Sequence, residues 1–218
     1  IVDMPLNSVP ATVDVEAFQT KLRAAASQCH VDVGFWGGAV PSNLHDLPRL
    51  WDAGVFGFKC FLADSGVEEF PALDEAGLED VMEQVSSFGG LLLVHAEDPD
   101  AVSPCPAGGT RYGDFLASRP DASEVSAVTA VVGAARRTGC RTHVVHVSTA
   151  RALPVLAAAH SAGVPVTAET CPHYLALSAE EVPDGATEYK CCPPIRDAAN
   201  RELLWSGLAG GTLGCVVS

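Results

Sequence analysis

The sequence is poor in positive charge. Thirteen Lys and Arg stand against 27 Asp and Glu, a formal net charge of −14. Such a surface repels phosphates, which counts against nucleic acid or an anionic membrane as a partner. None of the eight cysteines (Cys29, Cys60, Cys105, Cys140, Cys171, Cys191, Cys192 and Cys215) forms a CxxC pair. Several lie in apolar, strand-like runs, where a free thiol acts as a small hydrophobe. That counts against a disulfide scaffold and predicts a reduced, intracellular chain. No apolar run reaches the roughly 18 residues needed to span a membrane, and no signal-peptide pattern is visible. No GxGxxG follows the first strand, which counts against a dinucleotide-binding sheet. Internal repeats, low-complexity tracts and interdomain linkers are also missing.

What is present is a 48% hydrophobic chain of 218 residues, enough for a sizeable core. Strand-like and helix-like runs alternate along it. Strands are predicted at 1–4, 30–35, 55–62, 91–95, 142–147, 164–169 and 213–218. Gly37 and Gly38 read as a breaker after the second of these. Helices are predicted at 15–28, 43–52, 74–88, 123–138 with Ser123 as N-cap, 151–162 and 200–208. In 74–88, Leu78, Val81, Met82 and Val85 share one face. A Pro/Gly-rich loop, "EDPDAVSPCPAGGT", covers 97–110. Near-continuous apolar strands alternating with amphipathic helices imply a parallel sheet covered by helices. A doubly wound sheet and a (β/α)8 barrel both satisfy this. Seven strand units with cut ends suit a barrel lacking its first strand. The chain opens without an initiator Met and closes inside an apolar run, so the expectation is a piece of a longer protein.

In a barrel, strand C-termini build the active site. Lys59 lies inside the apolar run "GFKCFL", sharing a strand face with Gly57 and Phe61. His95 follows four apolar residues in "LLLVHAED". His146 lies near the end of "RTHVVHVSTA", with His143 on the opposite face. A buried lysine is costly unless its charge is removed or paired. Burial favours the neutral amine, and a neutral amine can add CO2 to become a carbamate, an anionic oxygen ligand able to bridge two cations. Imidazoles beside it suit zinc and similar ions. Each residue has a plainer reading. A lone strand histidine is usually a satisfied core residue, and a lone buried lysine can be a Schiff-base nucleophile or can snorkel to the surface. Three such residues near consecutive strand ends favour a binuclear metal site. His30, His45 and His160 read as structural or surface residues, while His173, in "ETCPHYL", is a further candidate for the site.

At these residues the chain resembles the cyclic amidohydrolases of the dihydropyrimidinase type, and within them the allantoinase group. The likeness runs along the whole chain, through "DMPLNS" (3–8), "VDVGFWGG" (31–38), "GFKCFL" (57–62), "LLVHAE" (92–97), "HVVHVSTA" (143–150), "ETCPHYL" (169–175) and "KCCPPIRD" (190–197). It implies an α/β fold, an incomplete (β/α)8 barrel of about strands 2 to 8, with residues 1–218 forming the central part of one hydrolase domain. It implies two divalent metal ions, zinc by expectation, with Lys59 as the carboxylated bridging lysine and His95 and His146 as ligands of the second metal. Their shared hydroxide would open the hydantoin ring of allantoin to allantoate. The family's HxH pair and its catalytic aspartate have no counterpart in this chain. No catalytic acid or base is therefore assigned here, and these residues alone are expected to be inactive. Asp64 stands where hydantoinases and dihydropyrimidinases typically have a substrate-binding tyrosine, which favours allantoin over ring substrates held by that tyrosine. Asp64, His173 and Cys192 are the expected substrate contacts. A homotetramer in the cytoplasm is implied too. A hydantoinase, dihydropyrimidinase or dihydroorotase is the nearest alternative. A non-catalytic scaffold relative would generally lack the Lys59, His95 and His146 ligands, and a Schiff-base aldolase would need only the lysine.

Overall fold

The computed structural model describes residues 1–105 and 109–218, so residues 106–108 of the predicted 97–110 loop lie outside the described residues. Helices and short parallel strands alternate. In chain order they are β1 (Val2–Asp3), α1 (Val15–Ala25), β2 (Gly34–Phe35), β3 (Gly37–Gly38), α2 (Leu47–Ala53), β4 (Phe58–Phe61), α3 (Glu75–Ser87), β5 (Leu91–His95), α4 (Tyr112–Ser118), α5 (Asp121–Thr138), β6 (Arg141–Val144), α6 (Leu153–Ser161), β7 (Val166–Thr170), α7 (Pro172–Ala176), α8 (Ala198–Ala209) and β8 (Cys215–Val216). The chain forms two compact units, Ile1–His95 with Ala134–Thr142, and Ala96–Gly133 with His143–Ser218.

In the first unit β1 pairs with β2, and β3, β4, β5 and the opening of β6 follow one another in order. Gly37 is in register with Phe58, Lys59 with Leu93, and Phe61 with His95. α3 buries the four predicted residues Leu78, Val81, Met82 and Val85. Burial of each such side chain contributes about 2 kcal/mol. The α3 N-terminus is closed by Asp74, whose carboxylate accepts from Gly77 N at 2.8 Å. Asp14 does the same for α1, and Gly54, in the left-handed region at φ 107°, ends α2.

Gly37 and Gly38 correct the sequence reading: they form a strand. Gly37 N donates to Gly57 O and Ala39 N to Lys59 O, at 2.9 and 2.8 Å. A Cβ on Gly38 would stand 2.5 Å from the Phe70 ring. The glycines therefore serve close packing against a neighbouring side chain, which local sequence does not reveal.

In the second unit the closing residues of β6 are followed by β7 and β8, with Glu169 in register with Cys215 and Thr170 with Val216. α8 begins at Asp197, whose carboxylate accepts from Asn200 N at 2.7 Å. Two helices were not anticipated, α4 and α7, both short. The start of α5 is also corrected. It lies at Asp121, just after Pro120, and Ser123 is a buried residue of its first turn instead of its cap. The acidic first turn, Asp121 and Glu124, suits the positive end of the helix dipole.

Candidate metal centre

Lys59 and His95 come together in the first unit. They sit on adjacent parallel strands, each only 4% exposed. Both meet the ring of Phe61. Lys59 Nζ lies 3.8 Å from its centroid and also donates to Cys60 O at 3.3 Å. The His95 imidazole stacks on the same ring, with centroids 4.8 Å apart and planes at 25°. The register explains this: Phe61 is the partner of His95, and Lys59 is two residues back on the same face. On the other face Cys60 is fully buried, and desolvation pushes its thiol up to about 12.

Gly57 lets these strands approach. A Cβ there would stand 2.5 Å from Leu91 O and 2.8 Å from the Trp36 ring.

His146 belongs to the second unit, in the turn just after β6. Among the described residues it is the one non-glycine residue with positive φ, at 43°. That conformation is uncommon for residues with a Cβ and persists only where the surroundings enforce it. Here the three residues after it are anchored by side-chain hydrogen bonds. Glu124, on α5, accepts from Ser148 N at 2.9 Å, Ser148 Oγ at 2.6 Å and Thr149 N at 3.3 Å. Thr170 Oγ1 donates to Val147 O at 2.8 Å, and Asn200 Nδ2 donates to Ser148 O at the same distance.

Glu124 is itself held by Arg196, whose Nη2 and Nε lie 2.6 and 3.2 Å from Oε1. Burial pushes the Glu124 carboxyl up, while Arg196 and the Ser148 donors pull it down. Neither Glu124 nor Arg196 was anticipated as a support for His146. The motif "KCCPPIRD" contained Arg196, but nothing in the sequence pairs it with a glutamate 72 positions earlier.

Asp64 is exposed, and its carboxylate accepts from Gly66 N at 3.0 Å, closing a local turn. His173 is half-buried on α7 with its ring 4.1 Å from that of Tyr174. Its Nε2 is buried without a hydrogen-bond partner among the described residues, and desolvation lowers its pKa. Cys192 is exposed. The segment around it is tied down by Tyr174, whose hydroxyl donates to Pro193 O at 2.6 Å, and by Tyr112, whose hydroxyl donates to Ile195 O at 2.9 Å.

A buried amine and a buried imidazole that meet one aromatic ring from adjacent strands are donor types that fit a carbamate-and-imidazole metal centre. Among the described residues one further cluster has metal-ligating chemistry: His143, Glu169 and Cys215 in the second unit.

Comparison with known proteins places the chain. No protein-family model matches it. The L-hydantoinase (dihydropyrimidinase) from Arthrobacter aurescens superposes with a TM-score of 0.92 at 30% identity, over all of this chain and 49% of that one. In fold the chain is thus similar to the hydantoinase-type enzymes, and its α/β architecture is that of an incomplete (β/α)8 barrel. In sequence it is a homologue of the allantoinases. The allantoinase of Streptomyces avermitilis is 58% identical over the whole chain, which covers 49% of that protein. The mitochondrial allantoinase of Aquarana catesbeiana is 48% identical, again over the whole chain and 45% of the relative. The chain spans about half the length of the curated relatives it matches.

Proposed function

We propose that the protein hydrolyses the hydantoin ring of allantoin to allantoate, and that residues 1–218 form the central part of its single hydrolase barrel domain. Homology to allantoinases along the whole chain supports the substrate. The observation that carries the chemistry is the convergence of buried Lys59 and His95 on one ring from adjacent parallel strands. In this reading a carboxylated Lys59 would hold two divalent ions, zinc by preference, and His95 and His146 would be ligands of the second. Two such ions, when bound, supply Lewis acidity and an acidified water.

The chain's own residues supply position. The β4–β5 register sets His95 opposite Phe61, with Lys59 two residues back on the same face. The Glu124–Arg196 pair holds the Ser148 and Thr149 amides, and with them the strained turn that aims His146. His173, Asp64 and Cys192 are proposed to contact the substrate, His173 through its buried ring nitrogen. The residues here leave the proposed binuclear site short of ligands, so these 218 residues alone hold at most one ion there, weakly, and do not turn over. The protein is further proposed to work in the cytoplasm as a homotetramer. Among the described residues no helix is long and apolar enough to cross a membrane, and light scattering of the purified protein tests the assembly.

The decisive experiment replaces Lys59 with Ala in the full-length protein. Turnover and the paired metals are lost, and short carboxylic acids partly restore turnover by filling the vacated volume. Near-normal activity in the Ala variant would reject the carbamate. Dihydrouracil tests the substrate: the protein prefers allantoin strongly, and the reverse preference would move it to the dihydropyrimidinases.

A further inference from the structure

His143, Glu169 and Cys215 have no part in the proposed hydrolytic centre. They lie on β6, β7 and β8 of the second unit. Glu169 and Cys215 are partners in register. The His143 ring reaches across to β7, with Nδ1 2.7 Å from Thr167 Oγ1 and Nε2 3.0 Å from Glu169 Oε2. One donor atom from each of the three residues lies within 4.8 Å of the other two. With zinc bonds of about 2.0 Å to nitrogen or oxygen and 2.3 Å to sulfur, tetrahedral donors stand roughly 3.3–3.7 Å apart. Small side-chain rotations therefore suffice to close this set on an ion.

The surroundings of His143 favour a cation. A metal-binding imidazole commonly donates its other N–H to a polar group that fixes the tautomer. Thr167 can accept that hydrogen from Nδ1. Nε2 then presents a lone pair towards Glu169 Oε2, and a cation between the two satisfies both. If Thr167 donates instead, Nε2–H simply binds the carboxylate and no ion is needed. Burial, and then the charge of Glu169, push the Cys215 thiol up. A divalent cation reverses that logic, since a coordinated thiol gives up its proton.

We propose that His143, Glu169 and Cys215 form a site for a divalent transition metal of the zinc or cobalt class, additional to the one proposed at Lys59, His95 and His146. On binding, Cys215 releases its thiol proton to solvent and forms the metal–sulfur bond. The carboxylate and thiolate balance the charge of a divalent ion. The neutral imidazole completes three protein donors and leaves a fourth position for water. A mixed nitrogen, oxygen and sulfur set suits these borderline ions better than magnesium or calcium.

The test titrates the metal-stripped, full-length protein with Co(II). The proposed hydrolytic centre contains no sulfur ligand, so a near-ultraviolet sulfur-to-cobalt charge-transfer band reports this site alone. The band is expected to saturate at one equivalent, to be displaced by Zn(II) and to vanish in Cys215→Ser. Thr167→Val, which keeps all three ligands, should weaken Co(II) about tenfold. A second measurement needs no variant: Zn(II) should protect the Cys215 thiol from iodoacetamide, read by peptide mapping. Absence of the band at millimolar Co(II), its survival in a folded Cys215→Ser, or alkylation of Cys215 at an undiminished rate under saturating zinc would each overturn the proposal and leave His143 and Glu169 as a simple hydrogen-bonded pair.

Discussion

Arg196→Met tests the support of His146 most directly. Arg196 is 6% exposed and makes contacts of 2.6 and 3.2 Å to Glu124, 3.0 Å to Ser148 Oγ and 3.2 Å to Arg119 O. Met has similar length and fills the space, but leaves the Glu124 carboxylate buried without its cation. Breaking a buried pair from one side costs about 3–5 kcal/mol. For a chain of this size that lowers Tm by about 10 °C. The effect depends on pH with a definite sign. Burial raises the folded-state pKa of Glu124 above its ordinary 4.5, and removing Arg196 removes the largest opposing influence. The folded variant then holds a proton that the unfolded chain has released, so its stability falls as pH rises through the raised pKa. The deficit of the variant is therefore largest near pH 7 and shrinks as pH is lowered towards 4.5. Thermal unfolding of both proteins across that range measures it. Adding Glu124→Gln to the variant should recover part of the loss at pH 7, because the orphaned charge is gone. An unchanged Tm, or a deficit independent of pH, would refute the reasoning. The proposed allantoin turnover should fall in the variant even well below its Tm, because the turn carrying His146 loosens.

Other outcomes follow from single contacts. Asn43→Ala removes bonds from Nδ2 to Val13 O and Gly38 O and the one Oδ1 accepts from Val40 N. At about 1 kcal/mol each, denaturant unfolding should show a loss near 3 kcal/mol. Gly57→Ala places a methyl group against Leu91 O and the Trp36 ring. It should cost about 1–3 kcal/mol and lower the metal content of the centre proposed at Lys59, as read by elemental analysis. Cys60, with its thiol pushed up to about 12, should resist iodoacetamide at pH 8 while exposed Cys29 reacts; peptide mapping distinguishes them. Burial lowers the folded pKa of His173 from 6.5. The unfolded chain then binds the extra proton first, so stability rises with pH up to about 6.5, and His173→Asn should flatten that part of the profile.

Periodicity made much of this protein legible without coordinates. The face of α3 and the run ending at His95 follow from local spacing, because burial on one side of a helix or strand imposes a period that neighbouring residues share. Lys59 stood out for the same reason, as a charge in an otherwise apolar strand. Residue identity also carried the kinship, since the motifs around Lys59, His95 and His146 are contiguous. Tertiary structure alone decided the rest. Gly37 and Gly38 look like a break until the Phe70 ring is placed over them. Glu124 and Arg196 are 72 positions apart, and His143 and Glu169 are 26 apart. No local spacing links such pairs. They meet because parallel strands hydrogen-bond side by side and helices return the chain between them, so contact depends on register and packing, which are properties of the whole fold.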